Sequence, residues 1–151
     1  MDGVTGSGKT EIYIRAIENV LQKGKTACVL VPEISLTPQT VNRFRTRFGN
    51  RIAVLHSKMT PAQRYSQFKK IKEGRADVVI GARSALFSPL KNIGLIVIDE
   101  EQENSYKQDK APRYRARDCA EVLASQQNSV LVLGSATPSL EALYNCVNKD
   151  N

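Results

Sequence analysis

Five short apolar runs, rich in Val, Ile and Leu, constrain the fold of this chain more than any other feature. Each run is continuous and does not alternate with polar residues, which is typical of strands buried on both faces of a parallel sheet. The polar stretches between the runs are long enough for helices. Strands that alternate with helices predict a three-layer α/β domain with a mostly parallel central sheet. The predicted strands are residues 27–31, 52–55, 78–80, 95–98 and 130–133.

Helix start signals lie in the polar stretches between these runs. Thr37 and Thr137 each precede a proline, which suits a capping residue followed by the first helical position. Thr60 starts a predicted capping box with the glutamine three residues later. Residues 11–22 and 117–127 are further predicted helices, so every gap but one contains a helical segment.

Composition limits the classes of function. The 151 residues are enough for one domain, and 22 Lys and Arg against 15 Asp and Glu give a net charge of +7. This excess suits a partner such as nucleic acid, and it suits a solvated basic surface equally well. Cys28, Cys119 and Cys146 form no CxxC pair, which favours a reducing, cytoplasmic setting without a zinc site or disulfides. We expect no membrane span and no signal peptide.

One motif predicts a nucleotide phosphate site. Glycines let consecutive backbone N–H groups curl around a phosphate, and the following helix directs its positive end at the same anion. In the pattern G-x-x-x-x-G-K-[ST], the lysine reaches the β- and γ-phosphates of ATP and the hydroxyl binds Mg²⁺. The pattern is matched in full by Gly3, Val4, Thr5, Gly6, Ser7, Gly8, Lys9 and Thr10.

The second half of such a site is a strand that ends in acids. The apolar run 95–98 is followed directly by Asp99, Glu100 and a second glutamate. We expect Asp99 to join Thr10 as a ligand of Mg²⁺, and Glu100 to orient or deprotonate the attacking water. Lys9, Asp99 and Glu100 are therefore the candidate catalytic residues.

The context of the phosphate loop is unusual. Such a loop follows a strand, yet only Met1 and Asp2 precede Gly3. We therefore expect residues 1–151 to be one domain cut from a larger protein, without the strand that anchors the loop. A mobile loop and weak nucleotide binding would follow.

The remaining motifs resemble those of superfamily 2 helicases. LVPEISLTPQ (30–39) resembles motif Ia, GARSALFSP (81–89) motif Ib, DEEQ (99–102) motif II and GSATPS (134–139) motif III. Four sequence blocks point to a narrower group than the superfamily, because they resemble the primosomal replication-restart helicases, the PriA family. These blocks are GVTGSGKTEIY, LVPEISLTPQT, GARSALFSP and RYRARD. The resemblance extends from Gly3 to about Leu143.

This resemblance implies a RecA-like P-loop NTPase domain, the first of two motor lobes of a 3′-to-5′ ATP-dependent DNA helicase. Such helicases act on single-stranded and forked DNA, and their full-length chains work with primosome proteins. The second lobe with its arginine fingers would lie outside this chain, so we expect the isolated fragment to be inactive. The family usually has His where this chain has Gln102, a side chain that still donates and accepts hydrogen bonds. In this chain, the resemblance implies that Gln102, Ser135 and Thr137 couple the state of the γ-phosphate to motif III.

The resemblance also implies DNA contacts on the strand-end loops. Hydroxyl, amide and guanidinium groups suit phosphate contacts without base readout. The polar segment 102–115 mixes cations with aromatic rings, which allows stacking on unpaired bases, although a solvated loop would have the same composition. His56 is expected to make a local structural hydrogen bond. The candidate DNA-binding residues are Pro32, Thr37, Gln39, Arg83, Ser84, Tyr106, Lys107, Arg113 and Tyr114.

Two alternatives remain open on the sequence. One is another DNA translocase, similar to RecG or to the motor subunit of a restriction enzyme. The other is a nucleic-acid-binding module that keeps the motifs and does not turn over ATP in isolation.

Overall fold

The computed structural model describes residues 8–100, 107–108 and 114–134. Its centre is a five-stranded sheet in which every adjacent pair of strands is parallel, and the spatial order of the strands is 52–55, 78–81, 26–30, 93–98 and 130–133. The predicted three-layer α/β fold and all five predicted strands are confirmed. The strands are β1 (Thr26–Leu30), β2 (Ile52–Leu55), β3 (Val78–Gly81), β4 (Ile93–Ile98) and β7 (Val130–Leu133).

Helices cover both faces of this sheet. One buried cluster joins α1 and α2 to one face, and a second cluster joins α3, α4 and a 3₁₀ turn at Arg83–Phe87 to the other. Within each central strand, neighbouring residues alternate between the clusters, so both faces of the strand are apolar. This is why the strand runs are continuous in the sequence. The helices are α1 (Lys9–Gln22), α2 (Pro38–Phe48), α3 (Pro61–Lys72) and α4 (Ala116–Gln127).

Two of the predicted helix starts are confirmed by their capping bonds. The Thr37 hydroxyl accepts a bond of 3.2 Å from the Thr40 N–H at the start of α2. The Thr60 side chain accepts from the Gln63 N–H, and the Gln63 side chain accepts from the Thr60 N–H, which completes the capping box of α3. Thr137 lies outside the described residues.

Sequence reasoning missed one element. Segment 102–115 was expected to be irregular, whereas β5 (Lys107–Gln108) and β6 (Tyr114–Arg115) form a short antiparallel pair. Two-residue strands are too short to leave a periodic pattern in the sequence. Within the described part of the chain, no helix is both long and apolar enough to cross a membrane.

The parallel sheet places the end of every central strand at one edge. The turn at Glu33–Ser35 follows β1, Arg83–Phe87 follows β3, and Asp99 and Glu100 follow β4. Ligands of open α/β sheets bind at this edge. The fold therefore brings the motifs of the strand-end loops to one side of the domain.

Candidate nucleotide-binding site

Gly8 and Lys9 form the start of α1. Gly8 is the N-cap residue, with φ of 84°, a left-handed conformation that strongly favours glycine. Gly8 has no side chain that could accept a hydrogen bond from the first N–H groups of α1. An uncapped helix N-terminus carries partial positive charge and is a suitable site for an anion.

Lys9 is buried at this helix start, with 6% of its surface exposed. Its Nζ lies 3.6 Å from Asp99 Oδ1 and has no hydrogen-bond partner among the described residues. A buried ammonium group without hydrogen bonds is costly, and a bound anion would supply the missing acceptor. Lys9 and Asp99, which the sequence predicts to belong to one phosphate site, thus lie close together.

Asp99 is fixed between two neighbouring strands. Its backbone N–H donates to the Leu30 carbonyl of β1 at 2.9 Å, and the N–H of Gly134, just after β7, donates to the Ile98 carbonyl at 2.8 Å. The Asp99 side chain is 20% exposed and faces the start of α1. A strand end held on both sides gives the backbone of Asp99 a defined position.

Tyr13 is a member of this site that sequence reasoning missed. It follows Lys9 by one helical turn, so both side chains lie on one face of α1. The Tyr13 hydroxyl donates a 2.8 Å hydrogen bond to Asp99 Oδ1, and the side chain is 2% exposed. Burial, and then the negative charge of Asp99, raise the pKa of Tyr13 well above its usual range. The phenol therefore remains a protonated donor.

Glu100 points to a different neighbour. Its φ of 51° lies in the left-handed region, which is uncommon for a residue other than glycine and turns the chain directly after Asp99. The Ser35 hydroxyl lies 3.4 Å from Glu100 Oε2, at the long limit for a hydrogen bond. The motif Ia turn therefore contacts the carboxylate that was predicted to orient water.

The donor set fits ATP with Mg²⁺. Lys9 offers a buried ammonium group, Thr10 a partly buried hydroxyl in the first turn of α1, and Asp99 a carboxylate. Mg²⁺ commonly binds through one or two protein ligands together with substrate phosphates and water, so a dedicated cluster of ligands is not required. Among the described residues, no group of three His, Cys, Asp or Glu side chains is placed to hold a metal. Gly3 to Ser7, Gln102, Ser135 and Thr137 lie outside the described residues.

The motif Ia turn presents its side chains unequally. Pro32 is buried, whereas Gln39 is exposed and the exposed Thr37 uses its hydroxyl to cap α2. Ile34, which sequence reasoning did not single out, is 81% exposed at the tip of the turn. Glu33 anchors the turn, because its Oε1 accepts the Ser57 N–H at 2.9 Å in the loop after β2.

The other DNA-binding candidates lie after β3 or in the short strand pair. Arg83 is partly buried and Ser84 is exposed, both in the 3₁₀ turn of motif Ib. The backbone of Lys107 and Tyr114 forms part of the β5–β6 pair. The side chains of Tyr106, Lys107, Arg113 and Tyr114 lie outside the described residues.

His56 has the structural role that was expected of it. Its Nδ1 accepts the Lys58 N–H at 3.2 Å, and its carbonyl accepts from Arg64 at 3.0 Å. These contacts hold the loop between β2 and α3. Cys28 is a core residue, and burial raises its pKa to about 12.

A three-layer parallel sheet with a buried lysine at a helix start, facing an acidic strand end, defines a P-loop motor domain. The family model for DEAD/DEAH box helicases matches residues 1–145, and the chain belongs to that family. It therefore has the RecA-like fold of a helicase motor lobe.

Within that family, the chain is similar to replication restart protein PriA. It is 56% identical to PriA of Bacillus subtilis over 142 residues, which are 94% of this chain and 18% of the relative. It is 54% identical to PriA of Haemophilus influenzae over 148 residues, 98% of this chain and 20% of the relative. The chain thus spans about a fifth of the length of these relatives.

A solved structure supports the fold independently. RecG bound to a three-way DNA junction aligns with a TM-score of 0.66 at 24% identity, over 98% of this chain and 20% of the RecG chain. At this level of identity the similarity concerns the fold alone.

Proposed function

We propose that this chain is the ATP-binding lobe of a 3′-to-5′ DNA helicase that acts in replication restart. The observation that carries the proposal is the buried Lys9 ammonium group at the start of α1, 3.6 Å from the Asp99 carboxylate. The similarity to PriA over 94% of this chain supports the replication-restart role. Because those relatives are about five times longer, we further propose that this lobe works within a longer chain.

Lys9 would bind the β- and γ-phosphates of ATP, together with the backbone of Gly3 to Gly8. Thr10 and Asp99 would hold Mg²⁺, which would supply positive charge close to the phosphates during phosphoryl transfer. The burial of Lys9 supports this role, since an electrostatic contact is stronger where water is excluded.

Glu100 would orient the attacking water or accept its proton. Its contact with Ser35 supports a link to DNA, because Ser35 belongs to the turn after β1 that also contains the exposed Ile34. Gln102, Ser135 and Thr137 would pass the state of the γ-phosphate to the rest of the motor. These three roles rest on the resemblance of motifs II and III.

Single-stranded or forked DNA would lie along the sheet edge that carries the strand-end loops. Thr37, Gln39, Arg83 and Ser84 would contact phosphates, with Pro32 shaping the turn from its buried position. Tyr106, Lys107, Arg113 and Tyr114 would add charge and stacking from the segment around β5 and β6. Primosome proteins would be contacted through other parts of the longer chain.

The test uses the full-length protein. DNA-stimulated ATP hydrolysis and 3′-to-5′ unwinding are measured for the wild type, for Glu100→Gln and for Glu73→Gln. Glu100→Gln should abolish both activities and spare ATP binding, because glutamine keeps the shape and removes the base. Glu73 is an exposed carboxylate at the end of α3, so its variant should behave as wild type.

The isolated chain provides a second arm. Arginine fingers contribute about 10³–10⁵ in the rate of phosphoryl transfer, and none from a second lobe would be present. Hydrolysis by residues 1–151 should therefore stay near background even with DNA. Brisk hydrolysis by the isolated chain, or by the Glu100→Gln helicase, would contradict the proposal.

A further inference from the structure

Two side chains of α1 converge on one oxygen atom. Asp99 Oδ1 lies 3.6 Å from Lys9 Nζ and accepts a 2.8 Å hydrogen bond from the Tyr13 hydroxyl. Lys9 is part of the phosphate-binding motif, whereas Tyr13 is not. Tyr13 is buried in the same cluster as the central strands, yet its polar end is directed at the metal-binding carboxylate.

We propose that Tyr13 is a positioning residue that orients Asp99 for Mg²⁺-ATP, and that Gly134 lacks a side chain in order to admit it. The inference rests on the proposed function of Asp99 as a Mg²⁺ ligand. Tyr13 acts through Asp99, in the way that outer hydrogen-bond partners orient metal ligands.

The hydrogen bond is suited to this task. A bond from a neutral donor to a carboxylate is charge-assisted and strongly directional, and here it is removed from competing water because Tyr13 is 2% exposed. The ring is clamped between α1 and the sheet, so the donor has a fixed position. A carboxylate at a strand end would otherwise be free to change its rotamer.

The surroundings of Gly134 support the same conclusion, because the Tyr13 phenol occupies the space that a side chain at this position would need. A Cβ at this position would overlap the Tyr13 hydroxyl oxygen and would lie 2.9 Å from its Cζ and 3.1 Å from Asp99 Oδ1. Gly134 is not among the glycines with positive φ, so its backbone conformation does not require glycine. The close approach of the Tyr13 phenol does require it. The first residue of motif III thus lies against the pair formed by Tyr13 of α1 and Asp99 of motif II.

The first experiment separates orientation from simple packing. In the full-length protein, Tyr13→Phe removes the hydroxyl and keeps the ring. ATP binding is measured by calorimetry with Mg²⁺ and with EDTA, and the Mg²⁺ concentration that half-saturates ATP hydrolysis is measured in parallel. We expect Tyr13→Phe to weaken Mg²⁺-dependent binding on the order of 10-fold, with a matching rise in half-saturating Mg²⁺. Binding in EDTA should be unchanged.

Tyr65→Phe is the matched control, since Tyr65 is 69% exposed on α3 and loses the same atom. Gly134→Ala should reproduce the effect of Tyr13→Phe by displacing the phenol. Both changes disrupt the same contact. The double variant should therefore lose about as much Mg²⁺-dependent ATP affinity as one single variant, and much less than the product of the two separate losses. If Gly134→Ala does not fold, the Tyr13→Phe comparison alone decides.

The outcomes also separate this inference from the function on which it rests. Asp99→Asn should abolish the Mg²⁺ dependence of ATP binding, and a failure to do so would refute the Mg²⁺ role itself. If Asp99→Asn behaves as expected and Tyr13→Phe leaves Mg²⁺-dependent binding unchanged, Tyr13 is a core residue only and the inference is wrong.

Discussion

Replacing Lys9 by alanine tests the nucleotide site most directly. The Lys9 side chain is 8% exposed, and its ammonium group makes no hydrogen bond within the part of the chain that the structure describes. A phosphate oxygen would give it one charge-assisted hydrogen bond in a place where water competes little. Such a bond contributes about 1.5–3 kcal/mol.

This free energy converts to an affinity through the logarithm of the dissociation constant. At about 1.4 kcal/mol for each factor of ten, Lys9→Ala should weaken Mg²⁺-ATP binding roughly 10- to 150-fold. Calorimetric titration of residues 1–151 measures the ratio. Titration up to millimolar ATP covers weak as well as tight binding.

Lys23→Ala is the matched control for this measurement. It removes the same charge from an exposed position at the other end of α1, which lies about 20 Å away for a helix of 14 residues. Lys23→Ala should bind ATP as the wild type does. Equal loss in the two variants would mean that general positive charge, and not a phosphate contact at Lys9, binds the nucleotide. Binding by Lys9→Ala within twofold of wild type would refute the reasoning outright.

Three further predictions concern DNA, packing and the core thiol. Lys107→Ala should flatten the salt dependence of single-stranded DNA binding by about 0.7 in the log–log slope, whereas Tyr114→Ala should weaken binding at every salt concentration; an equal effect from the α3 variant Lys69→Ala would indicate a generic basic surface. Gly81→Ala should destabilise the domain by about 1–3 kcal/mol in urea unfolding, because the new Cβ would overlap a carbonyl oxygen of β2. Burial raises the pKa of Cys28 to about 12, so the unfolded chain ionises first and stability should fall as pH rises from about 8.5 towards 12. Cys28→Ala should remove that part of the alkaline loss.

The strands could be predicted from sequence because burial on both faces leaves continuous apolar runs. β4 is buried along its whole length and is the longest of the five strands of the central sheet. The helix starts at Thr37 and Thr60 could be predicted because capping depends on residues only three positions apart. The β5–β6 pair could not be predicted, because a strand of two residues is too short to show an alternating hydrophobic pattern.

The partners of the two candidate catalytic carboxylates could not be predicted, because they are far away in the sequence. Tyr13 and Asp99 are separated by 86 positions, and Ser35 and Glu100 by 65. These contacts depend on the order of strands in the sheet, in which β1 lies beside β4 although β2 and β3 intervene in the sequence. The spacing of Lys9 and Tyr13 was visible as one turn of a helix, but a tyrosine on the buried face of a helix is usually a core residue.

The two acids of motif II are adjacent in the sequence and have separate supports in the fold. Asp99 is held by Tyr13 and Lys9, which belong to α1, while Glu100 turns away through its left-handed φ and meets Ser35 in the motif Ia turn. The group that would hold the metal is therefore tied to the helix that receives the phosphates. The group that would orient water is tied to the motif Ia turn, where we propose that DNA binds. Within the described residues, Ser35 makes no hydrogen bond to the α1 side chains, so we expect movement of that turn to reach Glu100 without displacing Asp99. A motor lobe of this design would keep its nucleotide bound while the geometry of hydrolysis responds to a second ligand.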